Sequence, residues 1–427
     1  MFSIAHKESE CHRGCPERHR HIKPREKEKK TEQEEERHLK RIDVKTRQGR
    51  RKAVKIVKTS VRENLYDNIP ISSAPNCHYS KQEIFQTIFE AVASQRYITP
   101  YCDAARARGR HLPDGDTVFY RLEPETLGGI DGVVNWANDR LHRLADLGTQ
   151  FGLFDGQLII AEDQTEEGVF GRPDRSAVGS TKVKGATSVH RLMIAQSVTK
   201  GKNRLPFELS RSGPLQTPSK VCVNVLDQVL HLHPNLWFLA DREFFTTEVI
   251  GALLRYSLPW IIPAVKNDKV KVLIPTAKKL AEPVIPGRSD RVYIQSDFQL
   301  GEGDKAVHFP LVFIYRPEEI KPERQLFIFS THTPITPEEV LSRADIYDLR
   351  WGIETGNRDQ DKLQGRTRSP CPVIQWFMQV LGVLLFALWW MCNVFLSGGP
   401  PPERYPLTID MFQDILQRCT RWSLDIL

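Results

Sequence analysis

The sequence contains no glycine-rich phosphate loop and no Ser/His/Asp arrangement in recognisable context, which leaves out nucleotide-cradling enzymes of the P-loop kind and serine hydrolases. It has no internal repeat, so a solenoid or propeller is excluded as well. Cysteine is sparse, eight in 427 residues, and scattered. With no secretory leader at the start, reduced thiols and a cytoplasmic setting are expected rather than a disulfide framework. Long apolar runs are almost absent too. The exception is Val373 to Leu396, long enough to cross a bilayer but interrupted by Gln375, Gln379 and Asn393. A buried core helix is the expectation there, because helices at the centre of large domains are also apolar all round; a membrane-anchored protein is the alternative.

What is present is a basic chain. The formal net charge is +7, and the excess is concentrated before residue 60, in runs such as Lys27-Glu28-Lys29-Lys30 and Arg47-Gln48-Gly49-Arg50-Arg51-Lys52. That favours an anionic partner. Residues 1–75 read as a basic, mostly disordered arm ending in a proline-containing linker. Within it Cys11, Cys15, His19 and His21 offer zinc ligands, although the gap between the pairs is shorter than in ordinary zinc modules.

Residues 76–151 read as a small helical domain that opens with a capping box at Ser80-Lys81-Gln82-Glu83. Arg106, Arg108 and Arg110 would suit a helix-turn-helix DNA reader, and a packing domain is nearly as well supported. From residue 152 strands take over and then alternate with helices, the pattern of an α/β layered core at 152–266 and 326–427. Residues 267–325, with Val270 to Ile274, Val292 to Ile294 and Phe309 to Ile314, read as a β-rich insertion.

The chemistry gathers around carboxylates. Asp163 is expected just after the first core strand, with Asp155 as its rival, and Asp241 just after a later one; residues following strand ends converge on one sheet edge. Tyr347, Arg350 and Glu354 are spaced three and four apart. On a continuous helix they fall within about 60° of each other, a face able to grip phosphate and metal side by side. Hard divalent cations need oxygen ligands, and a pair of Mg²⁺ ions about 3.5–4 Å apart stabilises the attacking and leaving oxygens of a phosphodiester.

Taken together, Asp163-Gln164-Thr165, Asp241-Arg242-Glu243-Phe244 and Tyr347-x-x-Arg350-x-x-x-Glu354 resemble the DDE transposases of prokaryotic insertion sequences, whose helix signature is Y-(2)-R-(3)-E-(6)-K. The resemblance runs from about residue 110 to 395. It implies an RNase H-like mixed-sheet core with a β insertion before the glutamate, and cutting and joining of the element's own DNA ends. It further implies Asp163, Asp241 and Glu354 as ligands of Mg²⁺, for which Mn²⁺ substitutes, and Tyr347 and Arg350 as phosphate contacts. Double-stranded DNA is the expected partner, a homodimer on paired ends the expected assembly, and the nucleoid the expected location.

The chain departs from the signature at its end. Asp361 stands where the lysine belongs, and Lys362 is one step late. Arg358, one turn beyond Glu354, is therefore preferred as the additional phosphate contact, with Lys362 second. An inactive DNA-binding relative is the alternative that this departure raises. Lys182, Lys184, His190 and Arg191 are weaker candidates for a DNA groove, and Trp260 and Trp351 for base stacking.

Overall fold

The computed structural model describes residues 44–66, 69–72, 77–169, 176–179, 184–199, 204–232, 236–284, 289–332, 335–401 and 405–418. The possible zinc ligands Cys11, Cys15, His19 and His21, and Lys182, lie outside them. Cys102, Cys222, Cys371 and Cys392 form no disulfide.

Helices come first: α1 (Arg47–Asn64), α2 (Lys81–Ala93), α3 (Ile98–Arg106), α4 (Gly115–Arg121) and α5 (Gly129–Gln150). The capping box at Ser80 forms, with Glu83 bonding back to the Ser80 N–H at 2.8 Å. Helix α1 corrects the expectation of disorder through residue 75. Ala53, Val57 and Val61 make a buried stripe that the dense charges around them hide from a composition reading. Residues 42–427 make one compact unit, and the helices of 76–151 are built into it.

The core strands are β1 (Leu158–Val169), the short β2 (Val178–Gly179), β3 (Ser188–Ser197), β4 (Pro206–Ser212), β5 (Leu236–Ala240) and β6 (Trp260–Pro263), with α6 (Pro218–Leu232) and α7 (Thr247–Arg255) before β5 and β6. β1 pairs antiparallel with β3, and β3 with β4; β5 then runs parallel to β1, and β6 parallel to β5. The spatial order β4-β3-β1-β5-β6 is an antiparallel meander followed by two parallel crossovers. That arrangement is the RNase H-like core.

The insertion is only partly β. Its first expected strand, around Val270 to Ile274, is instead helix α8 (Asp268–Leu280), capped by Asn267 and presenting Val270 and Ala277 to the interior. Alternating valines and lysines suit either period, and the cap decides between them. After it come β7 (Glu282–Pro283), β8 (Arg291–Leu300), β9 (Val307–Tyr315) and β10 (Leu326–Thr331). β10 pairs with both β6 and β9, so the insertion prolongs the core into one ten-stranded sheet.

Among the described residues four helices follow: α9 (Pro337–Asp348), α10 (Trp351–Asp361), α11 (Pro372–Ser397) and α12 (Ile409–Arg418). On one sheet face Ile159, Ala161, Leu239 and Ile261 meet α9 and α10 through Val340, Tyr347 and Ile353. The opposite face carries Met193, Ala195, Phe238 and Ala240 against α6 and α7. Helix α11 is the apolar run. Although long and apolar enough to span a membrane, it is 94% buried inside the protein over its most apolar stretch, packed against α1, α5 and α10.

Candidate active site

The site is assembled by strand register. Glu162 of β1 lies opposite Ala240 of β5, so the next residues, Asp163 within β1 and Asp241 just past the end of β5, come side by side. Neighbouring strands are roughly 4.8 Å apart, and alternation sends both carboxylates to the face carrying Ile159, Ala161 and Leu239, the face that α10 covers. Asp163 is not after the strand as expected. It is the sixth residue of a twelve-residue strand. Asp241 does follow its strand and caps a short 3₁₀ turn, its Oδ1 accepting from the Arg242 N–H at 2.7 Å. The rival Asp155 is exposed in the turn before β1.

Glu354 arrives from α10, which sits close to the sheet because two of its contact residues lack side chains. A Cβ added at Gly352 would lie 3.3 Å from Val198, and one at Gly356 only 2.6 Å from the buried Gln196 amide. Gly356→Val is therefore expected to lift α10 from the sheet, costing about 1–3 kcal/mol as overpacking. A melting curve against the parent reads the loss.

The tyrosine and the glutamate do not share one helix. The chain turns tightly between α9 and α10, with i to i+3 bonds from the Leu349, Arg350, Gly352 and Ile353 N–H groups. Tyr347 ends up at the close of α9, buried against Phe327 with ring centroids 5.4 Å apart. Burial holds its phenol far above its usual range. Arg350 is buried as well, its guanidinium 5.6 Å from the Tyr347 ring centre and donating to Glu354 Oε1 at 2.6 Å. What the spacing read as a face open to phosphate is thus a Tyr347–Arg350–Glu354 stack with Tyr347 and Arg350 buried and Glu354 partly exposed.

Electrostatics tie the group together. Burial pushes Asp163 up to about 6, aided by the carboxylates of Asp241 and Glu354 and opposed by the Gln164 N–H and Arg350. The Gln164 N–H donates to Oδ1 at 2.9 Å, while Asn357 Nδ2 donates to Oδ2 at 3.3 Å. Asn357 was missed by sequence reading. Its signal was available, since it is three residues after Glu354 and so on the same helix face. Asp241 and Glu354 lie within electrostatic reach of Asp163, and carboxylates are the donors a hard divalent cation takes. Among the described residues, however, no three carboxylate, imidazole or thiolate groups already close into a ligand cage. Glu354 is engaged by Arg350.

The end of α10 separates the two basic candidates. Arg358 is exposed, one turn beyond Glu354. Lys362 is the C-cap residue, and its Nζ bonds Asp359 Oδ1 at 2.8 Å.

Burial or pairing sets some of the other candidates apart, and others are exposed. His190 is buried, its ring 5.1 Å from that of Trp376, and Arg191 is paired with Glu166 at 2.9 Å. Lys184 is exposed. Trp260 is buried and bonds Ser330, so it packs the core, whereas Trp351 is 57% exposed beside Arg350. In the helical region Arg110 is held by Glu90 at 2.8 Å, buttressing α2 rather than facing DNA, and Arg106 lies 3.9 Å from Asp114, while Arg108 is exposed.

No protein-family model matches this chain, and no curated protein matches it in sequence. Among solved structures it is similar to a piggyBac transposase in a synaptic complex with hairpin DNA, with a TM-score of 0.51 at 10% sequence identity over 86% of this chain and 77% of that one. At that identity the likeness is one of architecture, and what the two chains share is an RNase H-like fold.

Proposed function

We propose that the chain is a metal-dependent DNA transposase of the insertion-sequence type, cutting at the terminal inverted repeats of its own element and joining the 3′ ends to target DNA. The observation that carries this reading is the convergence of Asp163, Asp241 and Glu354 on one face of an RNase H-like sheet, each carboxyl within electrostatic reach of Asp163. The similarity to a transposase solved on DNA supports it.

Asp163, Asp241 and Glu354 would hold Mg²⁺ or Mn²⁺, which supplies an activated water and charge stabilisation at the phosphodiester. The protein's part is positional. Asn357 and the Gln164 N–H aim the Asp163 carboxylate, and Arg350 holds the Glu354 side chain ready on the same side of the sheet. Tyr347 fixes Arg350 from beneath rather than touching phosphate itself. Arg358, exposed and not ion-paired among the described residues, is the cation we assign to the DNA backbone ahead of Lys362, which Asp359 already engages. A homodimer on paired ends and a cytoplasmic, nucleoid-associated location complete the reading.

Incubation with Mg²⁺ or Mn²⁺ and a duplex bearing the inverted repeats that flank the gene is the direct test. Cleavage at the repeat boundary is expected, and a chain inert in both metals on intact ends would remove the enzymatic reading. The second reading, a relative that binds ends without cutting, is favoured by Asp361 in the place of the signature lysine; binding with no cleavage would select it.

A pH dependence follows from Asp163. Its carboxyl is raised to about 6 in the fold and titrates near 3.9 when unfolded, so the proton stabilises the metal-free fold. That contribution is fully present below about pH 3.9 and lost as pH rises through about 6. A cation must displace the same proton. Mn²⁺ affinity, followed by its relaxation signal, should weaken up to tenfold per unit as pH falls below about 6.

A further inference from the structure

Helix α1 is charged in a way the other helices are not. From Lys45 to Arg62 the chain carries Lys45, Arg47, Arg50, Arg51, Lys52, Lys55, Lys58 and Arg62 and not one Asp or Glu. Its apolar side, Ala53, Val57 and Val61, is buried against α11. At 100° per residue Arg47, Arg51, Lys55, Lys58 and Arg62 form a row about 22 Å long, centred about 120° round the helix from that stripe. All but the half-buried Lys58 are exposed, and among the described residues none of the five pairs with a carboxylate. The start of the row opens onto a shallow groove lined by Lys45, Arg47, Arg50, Arg51 and Val54.

An ordinary solvated helix face interleaves its charges, as this chain does elsewhere with Lys271 beside Asp268 and Lys362 beside Asp359. Here Arg47 faces Arg51, Arg51 faces Lys55, and Lys58 faces Arg62, each four residues apart. Like-charge pairs at that spacing oppose the helix by about 0.2–0.5 kcal/mol apiece. A polyanion laid along the row turns that repulsion into attraction. Duplex DNA carries one charge per roughly 1.7 Å of its axis, and successive cations on the row rise by about 6 Å, so several phosphates come within reach of one helix.

We propose that the outer face of α1 is a duplex-DNA backbone surface, separate from the carboxylate site. The assignment of DNA as the occupant rests on the transposase reading. The contact is electrostatic and blind to base sequence, positioning the duplex while other residues cut it.

The test uses the full chain and a duplex of about 30 base pairs, binding being measured across a salt series. The variant Arg47→Gln/Arg51→Gln/Lys55→Gln/Arg62→Gln should lose at least tenfold in affinity at low salt. The slope of log affinity against log salt should become shallower by about 3 to 4, near 0.9 for each phosphate contact removed. Because relief of repulsion opposes unfolding, its melting temperature should match or exceed the parent's. Each single substitution should lower the slope by about 1, so the readout does not hang on the quadruple variant. Arg47→Lys/Arg51→Lys should bind like the parent.

Parental affinity and slope in the quadruple variant would overturn the surface. So would unchanged DNA binding with lost capture by vesicles containing phosphatidylserine, since the row would then serve a membrane. The two readings fail separately. A chain that binds through α1 and never cuts keeps the surface and loses the enzyme, whereas one that cuts with the slope untouched does the reverse.

Discussion

Asp241→Asn is expected to abolish cleavage of inverted-repeat DNA, a fall of at least about a thousandfold, or about 4 kcal/mol of barrier, and to leave duplex binding within about twofold. Asparagine is the informative choice. Its side-chain oxygen still accepts from the Arg242 N–H, so the 3₁₀ turn after β5 keeps its cap and only the charge is removed. The loss therefore measures what the carboxylate does rather than what the turn needs. Asp155→Asn, in the exposed turn before β1, serves as the control and should cut normally. Full activity in Asp241→Asn would remove this residue from the site, and with it the register argument that sets it beside Asp163.

The second large effect is on stability. Asn393 lies wholly buried in α11, and its side chain clasps the segment that follows. Nδ2 donates to the carbonyls of Trp389 and Leu407, at 3.0 and 3.1 Å, and Oδ1 accepts from the Leu407 N–H at 2.8 Å. Asn393→Leu makes the helix more apolar and should nevertheless destabilise the protein by about 2–5 kcal/mol. It strands the Leu407 N–H and weakens the satisfaction of its carbonyl, each buried polar group left open costing about 1–3 kcal/mol. Denaturant unfolding checks this. A variant as stable as the parent would mean that the clasp contributes nothing. The same residue bears on the membrane question, because an asparagine that ties a helix to its own chain is at home in a protein interior.

The residues that the fold gathers at the candidate site were only partly legible in the sequence, and the failures are specific. Asp241 and Glu354 stand out as candidates because each sits in a dense local motif. Asp163 could be found but not located, since nothing in Leu158 to Val169 says that the strand continues for six residues beyond the aspartate. The break between Tyr347 and Arg350 was invisible. Asp348 and Leu349 carry no Pro or Gly, and the turn is imposed by the sheet below, which takes Tyr347 into its core and leaves Glu354 at its edge. Asn357 was overlooked because an amide without an alignment looks like any other helix residue; its partner lies 194 positions away. The RNase H-like core was expected only through the resemblance, whereas the ten-stranded extent of the sheet depends on β10 pairing on both sides, a long-range choice no local pattern encodes.

Helix α11 also sets the schedule on which the chain is completed. Helix α1 leaves the ribosome early, yet the surface it packs on, α11, begins 308 residues later, at Pro372. At about 5–20 residues per second that interval is roughly 15 to 60 s. An isolated, self-repelling helix of this length is marginal in water. Helix α1, the earliest of the described helices, is therefore among the last to become permanent, and α12 closes the same layer later still, with Gln417 bonding the Ala93 carbonyl of α2 at 2.8 Å. A nascent chain stalled before Pro372 would expose α1 to protease, and one released past Arg418 would protect it.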